Sequence, residues 1–258
     1  MTKIKIVTSW SNPGGGTVAH IGLTNLFNDN GYDCTFYGPH DWHLDKCKGE
    51  SLSKARITAE DILLSHFIQV APETKSRMHV LSCHETNLFP LKEMDLKQYD
   101  LIQFVSNFQR KWHSINHPSI VIPPVVNEVL WENPNNNIAG VIGSIDHNKQ
   151  THKSIQRAIE DGYNKVLLFG DVTDLPYFNT CVSQLVNSGK AILMGHQDNR
   201  EFMYGQVSEV YHSSIRETYG LVEAECRLSG IPFNGPSNKQ NILEKEEILN
   251  LWKQYLKL

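Results

Sequence analysis

Two glutamates, Glu217 and Glu225, stand eight positions apart across a predicted junction between a loop and a helix. Glu217 falls in a turn after the alternating apolar run Val207–His212. Glu225 falls inside a helix that a turn at Gly220 opens and Gly230 closes. Two carboxylates held on different elements can reach different parts of one ligand.

The chain between these glutamates is suited to binding an anion. Unpaired backbone N–H groups and the helix dipole favour a phosphate at a helix N-terminus. Glu225, one to two turns further on, could accept hydrogen bonds from both ribose hydroxyls, so the arrangement suits a nucleotide sugar. In a plainer interpretation, Glu217 only caps a helix and Glu225 is a solvated surface charge. The residues expected to present the N–H groups are Thr218, Tyr219, Gly220 and Leu221.

The whole stretch resembles the Glu-x7-Glu segment of retaining GT-B glycosyltransferases of family four. That segment usually reads Ser-x-x-Glu-x-(aromatic)-Gly-(apolar)2-x-x-Glu-Ala-x-x-x-Gly-x-Pro, and Cys226 stands here in place of its alanine. The resemblance implies transfer of a sugar, with retention of anomeric configuration, from a nucleoside-diphosphate-sugar donor. The residues in register are Ser214, Glu217, Tyr219, Gly220, Leu221, Val222, Glu225, Gly230 and Pro232.

A glycine-rich loop, Asn12–Thr17, follows the first predicted strand and opens a helix. Its glycines permit close approach of the backbone to a ligand. The spacing also satisfies a dinucleotide fingerprint, but the second strand ends without an acidic residue to hold an NAD ribose. The resemblance assigns Gly15 and Gly16 to the donor phosphates and the acceptor, and the alternative is a tight structural turn.

A second loop, Gly143–Lys149, aligns with the family's Gly-Arg-x-x-x-x-Lys-Gly loop, whose arginine and lysine bind the donor diphosphate. Lys149 matches the lysine, whereas Ser144 replaces the arginine and Gln150 replaces the following glycine. Without the bidentate arginine, one cation remains to neutralise the diphosphate. The alternative for Lys149 is an exposed residue at the start of a helix.

His84 follows a predicted first-domain strand, at the end of a parallel sheet where α/β proteins place ligands. It matches the histidine that faces the donor sugar in the resembling family. The resemblance therefore implies three catalytic residues: His84 and Glu217 to orient the sugar, and Lys149 to stabilise the departing diphosphate. A lone histidine can also be structural.

The sequence contains no Asp-x-Asp motif, which is the usual metal–diphosphate ligand of the other main glycosyltransferase fold. We therefore expect a metal-independent site with no cofactor beyond the nucleotide-sugar co-substrate. The net charge of −4 gives no global field toward nucleic acid or anionic membrane. The expected partners are the donor and an acceptor of unknown class.

Composition is that of a globular protein, with 40% hydrophobic and 20% charged residues. The sequence predicts no signal peptide and no membrane span. An odd number of scattered cysteines argues for reduced thiols, so we expect a cytoplasmic location. These cysteines are Cys34, Cys47, Cys83, Cys181 and Cys226.

Short β-rich runs alternate with helical segments in two successive sets, which predicts an α/β protein. Two of the predicted strands are Asp61–Ser65 and His79–Ser82, and His84 follows the second. Leu175–Asn187 is predicted as one helix. With the resemblance, the expected fold is GT-B-like: two Rossmann-like domains with parallel sheets facing a central cleft.

The predicted domains are an N-terminal, acceptor-side domain over residues 1–126 and a nucleotide-sugar-binding domain over residues 138–240. A polar, turn-rich stretch at 127–137 is the predicted linker. Residues 241–258 form a last amphipathic helix, which in the resembling family crosses back to the first domain.

The sequence thus predicts a retaining, metal-independent glycosyltransferase (class EC 2.4). Two alternatives remain open. One is a nucleotide-sugar-binding protein without transferase activity, which the serine at position 144 favours. The other is a sugar-nucleotide 2-epimerase on the same two-domain fold, against which the register of the Glu217–Pro232 stretch argues.

Overall fold

The computed structural model describes residues 3–10, 14–39, 44–66, 74–85, 91, 94–237 and 240–258. The chain forms two compact units. One comprises Met1–Val126 and Asn241–Leu258, and the other comprises Asn127–Gln240. Each unit is built on a parallel sheet with helices packed against it.

Within the described residues, the first unit contains seven strands. They are β1 (Lys3–Thr8), β2 (Asp33–Gly38), β3 (Gly49–Ser51), β4 (Ile62–His66), β5 (Met78–Cys83), β6 (Leu101–Phe104) and β7 (Ser119–Val121). Their order is β3-β2-β1-β4-β5-β6-β7, and every pairing is parallel. A parallel sheet is covered on both faces, which explains why every residue of β4, and every residue of β1 after Lys3, is buried.

Three α-helices belong to the described part of this unit: α1 (Gly15–Asp29), α2 (Asn107–His113) and one C-terminal helix, Lys245–Leu256. The C-terminal helix begins with a capping box between Glu244 and Glu247. Its apolar stripe enters the same core as β1 and β4, and Trp252 packs edge-on against Phe27 of α1 with ring centroids 6.3 Å apart. The stripe consists of Ile248, Leu249, Trp252 and Leu256.

The second unit repeats the arrangement with five strands among its described residues. They are β8 (Ile138–Ile142), β9 (Lys165–Phe169), β10 (Ala191–Gly195), β11 (Glu209–Tyr211) and β12 (Phe233–Asn234). Their order is β10-β9-β8-β11-β12, again wholly parallel. Counted from the first strand of each unit, both sheets therefore share the order 3-2-1-4-5 of doubly wound nucleotide-binding folds, and the first sheet continues with two further strands.

Helices α3 (Thr151–Glu160), α6 (Arg200–Tyr204) and α7 (Leu221–Leu228) flank this second sheet. The prediction of a single helix over Leu175–Asn187 is wrong in the middle of that segment. It consists of α4 (Leu175–Tyr177), a π-helical turn over Phe178–Val182 and α5 (Ser183–Asn187). Lys245–Leu256 is accordingly α8.

Residues 127–137 contain neither helix nor strand and lie with the second unit. The Val129 N–H donates to Ser229 Oγ at 2.8 Å, and the Trp131 indole donates to the Tyr204 carbonyl at 3.1 Å. All five cysteines are free thiols. Among the described helices, none combines the length and apolar character needed to cross a bilayer.

Candidate functional site

Both sheets reverse their strand order between their first and fourth strands, the point at which α/β folds bind ligands beyond the carboxyl ends of the strands. In the first unit this point lies between β1 and β4, and in the second between β8 and β11. The loops that follow these strands carry most of the residues singled out in the sequence. Each unit thus presents its own candidate site.

In the second unit, the loop after β8 is held by the carboxylate of Asp146. Asp146 Oδ2 accepts a hydrogen bond from Ser144 Oγ at 2.6 Å, and Oδ1 accepts one from the Lys149 N–H at 2.8 Å. The Ser144 side chain is therefore part of the loop's internal bonding. Asp146 was not singled out in the sequence, although an aspartate in the loop before a helix is a common turn former.

The Lys149 side chain reaches the loop after β11, where Lys149 Nζ lies 2.5 Å from Glu217 Oε1. The same oxygen accepts a hydrogen bond from His212 Nε2 at 2.9 Å. A carboxylate only accepts hydrogen bonds, so Nε2 of His212 carries a proton. Both bonds go to Oε1, and Glu217 Oε2 has no partner within the described part of the chain. Two residues predicted from separate motifs thus form one charged pair.

The pKa of Glu217 reflects this environment. Burial alone would raise the pKa of this carboxyl, but the Lys149 cation and the His212 hydrogen bond outweigh burial and hold the pKa far below its usual range. Glu217 is therefore ionised at neutral pH. Its contacts also rule out the plainer interpretation in which it only caps the following helix.

Helix α7 begins at Leu221, after Gly220 in the left-handed conformation with φ of 87°. This turn is the one predicted from the sequence, and glycine is the residue that adopts it without strain. Tyr219 is buried, whereas Thr218, Gly220 and Leu221 are partly exposed. The first N–H groups of α7 therefore lie immediately after the loop that carries Glu217.

Glu225 lies in the middle of α7 with its carboxylate buried. Tyr204 OH donates to Glu225 Oε2 at 2.7 Å, and Oε1 forms an ion pair with Arg200. Burial raises the pKa of Glu225, while Arg200 and Tyr204 oppose that rise. Glu225 is 4% exposed, so the interpretation as a solvated surface charge is wrong. Its protein partners leave one further lone pair on each oxygen for a ligand hydroxyl.

Arg200 and Tyr204 were not identified from the sequence because the five-residue helix α6 was not predicted. Asn199 could have indicated α6, because asparagine is a favoured residue at helix N-caps. Its side chain caps α6 by accepting a hydrogen bond from the Phe202 N–H at 2.9 Å. His212 was likewise missed, because it was taken only as the last residue of a strand.

Gln150, at the position of the family's loop glycine, is in the left-handed conformation with φ of 49°. This conformation costs a side-chain-bearing residue about 1–2 kcal/mol relative to its preferred conformations. The backbone here therefore keeps the glycine shape that the resemblance implies, although the side chain differs. Helix α3 begins at the next residue.

In the first unit, Gly15 and Gly16 are the first two residues of α1, the next described helix along the chain after β1. Asn12 and Pro13 of the predicted loop lie outside the described residues. A Cβ on Gly16 would lie 3.3 Å from the His66 ring and 3.4 Å from Glu85 Oε1. A side chain at position 16 would therefore crowd the histidine and the carboxylate beside it.

His84 belongs to a cluster of three imidazoles beyond the carboxyl ends of β4 and β5. Its ring centroid lies 4.5 Å from that of His20 on α1 and 5.4 Å from that of His66. Burial lowers the pKa of His84, and the neighbouring His66 lowers it further. His84 is therefore neutral at physiological pH. His20 and His66 were not singled out in the sequence.

His66 is held by polar groups on both ring nitrogens. Its Nε2 donates to Glu85 Oε1 at 3.1 Å, and its Nδ1 lies 3.0 Å from Thr8 Oγ1 at the end of β1. Glu85 Oε2 also accepts from the His84 backbone N–H at 3.2 Å. The predicted strand Asp61–Ser65 ended one residue before His66. His66 was therefore not recognised as a residue at the carboxyl end of a strand, where α/β proteins bind ligands.

The described residues contain no group of three or more histidine, cysteine, aspartate or glutamate side chains arranged to hold a metal ion. Within the second unit, the structure brings Lys149 and Glu217 into contact, whereas the partners of Glu225 are Arg200 and Tyr204. Within the first unit, Gly16 lies beside His66 and Glu85, which border His84. The roles of all these residues in binding or catalysis remain predictions.

The sequence matches no family model, and no curated protein matches it. Solved structures do match. Anabaena Alr3699/HepE in complex with UDP-glucose has a TM-score of 0.70 at 14% identity, covering 100% of this chain and 91% of that chain. TarM has a TM-score of 0.69 at 9% identity, with 100% and 92% covered. WaaG, a glycosyltransferase involved in lipopolysaccharide biosynthesis, has a TM-score of 0.61 at 10% identity, with 100% and 91% covered.

At these identities the likeness concerns the fold. The chain has the α/β fold of GT-B glycosyltransferases, with two parallel sheets, as predicted from the sequence.

Proposed function

We propose that this chain is a retaining glycosyltransferase that takes its sugar from a nucleoside-diphosphate-sugar donor. The observation that carries the proposal is the Lys149–Glu217 pair at the strand-order reversal of the second sheet, immediately before the N-terminus of α7. A lysine and a helix N-terminus are the groups that bind phosphate oxygens in proteins. The buried carboxylate of Glu225 lies within the same helix.

The ligand diphosphate is proposed to bind Lys149 and the first N–H groups of α7. In the ligand-free protein the Lys149 charge is compensated by Glu217, with 25% of the lysine side chain exposed. The diphosphate would share or replace that carboxylate as the partner of the cation. Glu217 then remains bonded to His212 and can orient a sugar hydroxyl through Oε2.

Glu225 is proposed to accept hydrogen bonds from the ribose hydroxyls. Arg200 and Tyr204 fix its carboxylate, so no rearrangement of a flexible side chain is needed when the ribose binds. A pre-positioned acceptor loses less conformational entropy on binding than a mobile one. His84 is proposed to orient the sugar.

In the proposed reaction, the bond between the anomeric carbon and the diphosphate oxygen breaks as the acceptor oxygen bonds to the same face of that carbon. The acceptor proton passes to the departing phosphate oxygen. Negative charge grows on the diphosphate in an oxocarbenium-like transition state, so a cation at Lys149 stabilises that state more than the ground state. Because Lys149 and α7 can carry this charge, we propose that turnover needs no divalent metal.

The solved complexes of similar fold support the choice of donor class. HepE was solved with UDP-glucose, and also with UDP and glucose. We therefore place UDP sugars first among the donors to be tested.

A binding protein without transferase activity is the second candidate, because Ser144 bonds to Asp146 at the position where the family's arginine would bind diphosphate. A sugar-nucleotide 2-epimerase is the third, and the match of the Glu217–Pro232 stretch to the transferase pattern disfavours it.

The deciding experiment screens UDP, GDP, ADP and dTDP sugars by thermal shift. Release of nucleoside diphosphate is then measured with every stabilising donor, with and without exhaustive chelation, and NMR identifies the anomer and epimer of the sugar product. We expect stabilisation by at least one donor, metal-free release and a product of retained configuration. Binding without release would favour the binding protein, an epimerised sugar the epimerase, and no stabilisation at all would contradict the proposal.

A further inference from the structure

The hydroxyl of Ser82, in β5, lies at the centre of a buried polar network in the first unit. His20 Nε2 lies 2.9 Å and His84 Nε2 lies 3.2 Å from Ser82 Oγ, and Gln103 Oε1 of β6 lies 2.8 Å from it. Ser82, Gln103 and His20 are each at most 3% exposed. Each of these bonds joins two of the four side chains, so its proton must come from one of them.

The orientation of Gln103 fixes the first proton. Gln103 Nε2 donates to the Ile122 carbonyl at 2.7 Å. A carbonyl oxygen can only accept, so reversal of the amide would set two acceptors against each other at that distance. Gln103 therefore presents its Oε1 to Ser82. Because Oε1 also only accepts, the Ser82 hydroxyl must donate its proton to Gln103.

The protons on the two imidazoles follow from Ser82. A serine hydroxyl has one proton and two acceptor lone pairs. Its proton is committed to Gln103, so both histidines must donate to Ser82 Oγ through Nε2–H. This distribution satisfies all three hydrogen-bonding sites of the hydroxyl.

The rings of His20 and His84 are neutral in this arrangement. Burial lowers the pKa of His20, and the neighbouring His84 and His66 lower it further, against a smaller opposing effect of the Gly16 backbone. Burial and His66 lower the pKa of His84. A neutral imidazole protonated on Nε2 has an unprotonated Nδ1. His20 Nδ1 is buried without a hydrogen-bond partner within the described part of the chain.

We propose that Gln103 is a positioning residue that, acting through Ser82, holds His84 in its Nε2–H form, so that His84 Nδ1 is a hydrogen-bond acceptor for a ligand hydroxyl. Only the identity of that hydroxyl, on the sugar of the donor, rests on the proposed function. The role of His84 becomes specific: it accepts from the sugar and does not donate to it. A ligand group with no proton to donate, such as a deoxy or fluoro position, would lose this bond.

The test is a long-range proton–nitrogen NMR correlation spectrum of the imidazoles in the full-length protein. We expect His20 and His84 to show protonated Nε2 and unprotonated Nδ1 in the wild type at neutral pH. In Gln103→Leu, the Ser82 proton is released and can be donated to a histidine, so at least one of the two rings should shift to the Nδ1–H form. Ser82→Thr, which keeps the hydroxyl, should retain the wild-type forms.

Gln109→Leu is the matched control. Gln109 is also a buried glutamine with two backbone hydrogen bonds, to the Val105 N–H and the Glu85 carbonyl, and it does not contact Ser82. Its loss should destabilise the protein without changing the forms of His20 and His84. If the same change appeared in Gln109→Leu, general loosening would explain it and the positioning role would be wrong.

A wild-type His84 protonated on Nδ1 would overturn the proposal without any variant, and so would unchanged imidazole forms in a folded Gln103→Leu protein. A stabilising nucleotide sugar should then change the nitrogen shift of His84 Nδ1, and an unchanged shift at saturation would overturn the ligand role. If no nucleotide sugar binds, the proposed function fails, whereas the imidazole spectra still decide the role of Gln103.

Discussion

The two units share one strand order and place polar residues at the same point of that order, but they do so with different chemistry. In the second unit the side chains form pairs of opposite charge, Lys149 with Glu217 and Arg200 with Glu225. In the first, the neutral imidazoles of His20 and His84 are joined by hydrogen bonds through Ser82, beside the carboxylate of Glu85, which accepts from His66. Charge suits a diphosphate, whereas uncharged acceptors suit hydroxyl groups, so one fold repeated twice supports two kinds of chemistry.

The largest effect expected from this comparison is on turnover. Under the proposed function, Lys149→Ala should lower kcat by about 10²–10³-fold, because it removes a charge that acts on the developing negative charge of the leaving group. The increase in KM should be smaller. The measurement is kcat and KM for release of nucleoside diphosphate, with circular dichroism to confirm folding.

Lys153→Ala serves as the control, because Lys153 is exposed on the first turn of α3 and takes no part in these pairs. It should leave kcat unchanged. A Lys149→Ala protein with wild-type kcat and a raised KM would reduce Lys149 to a uniform binding contact and weaken the contrast between the units.

Removal of Arg200 should have the next largest effect, on stability. Arg200→Met leaves the Glu225 carboxylate buried without its cation, and breaking such a pair from one side costs about 3 kcal/mol of the free energy of unfolding. Denaturant unfolding measures the loss. The double variant Arg200→Met/Glu225→Gln removes the uncompensated charge and should recover most of the lost free energy of unfolding. A double variant no more stable than Arg200→Met would show that the ion pair is not the cause of the loss.

The ion pair of Glu217 should make stability depend on pH. Its pKa in the folded protein lies well below the ordinary glutamate value of about 4.3, so the unfolded chain binds the proton first as pH falls. The stabilisation by ionised Glu217 is therefore complete at neutral pH and declines as pH drops below about 4. The difference in unfolding free energy between wild type and Glu217→Gln should shrink over that range.

The same difference measured in a Lys149→Ala background should depend less on pH, since the main cation that lowers the pKa is gone. An equal pH dependence in both backgrounds would mean that Lys149 does not control Glu217.

The smallest effect concerns the backbone of the loop in the second unit. Gln150→Gly should raise the free energy of unfolding by up to about 1 kcal/mol, because glycine adopts the left-handed conformation without strain. Gln156→Gly, at an exposed position within α3, should lower it by about 1 kcal/mol. Equal losses in the two variants would contradict the assignment of strain to Gln150.

The difference between the two units also explains what could be predicted from the sequence. Glu217, Gly220 and Glu225 lie within one short segment, so their spacing alone indicated a turn, a helix N-terminus and a carboxylate within the helix. All strands of both sheets except β3 were predicted, because apolar residues mark them. Strand β3 was not, since Gly49–Ser51 contains no apolar residue. Helix α6 was not predicted either, because five residues are too few to show a helical period.

The imidazole cluster could not be predicted from the sequence, for a different reason. His66 meets Thr8 across 58 positions and His20 meets Ser82 across 62 positions, and no local pattern encodes such contacts. The rule that ligands bind at the carboxyl ends of strands would have indicated His66 had the end of β4 been placed one residue later. The partners of Glu225 could not be predicted without α6, the helix that carries them, and the capping residue Asn199 was the one sequence signal for that helix.

The most direct test of the central claim, that the second unit holds the nucleotide, is calorimetric titration of the nucleoside diphosphate of the best donor into wild type, Glu225→Gln and Glu223→Gln. Glu223 is the matched control, because it is buried on the same helix but accepts its hydrogen bond from Ser237, at 2.6 Å. We predict that Glu225→Gln weakens binding about tenfold or more, because a hydrogen bond to a charged group is lost. The affinity of Glu223→Gln should stay within about twofold of wild type, because that substitution leaves the proposed ribose acceptor intact. Wild-type affinity in a folded Glu225→Gln protein would contradict the claim.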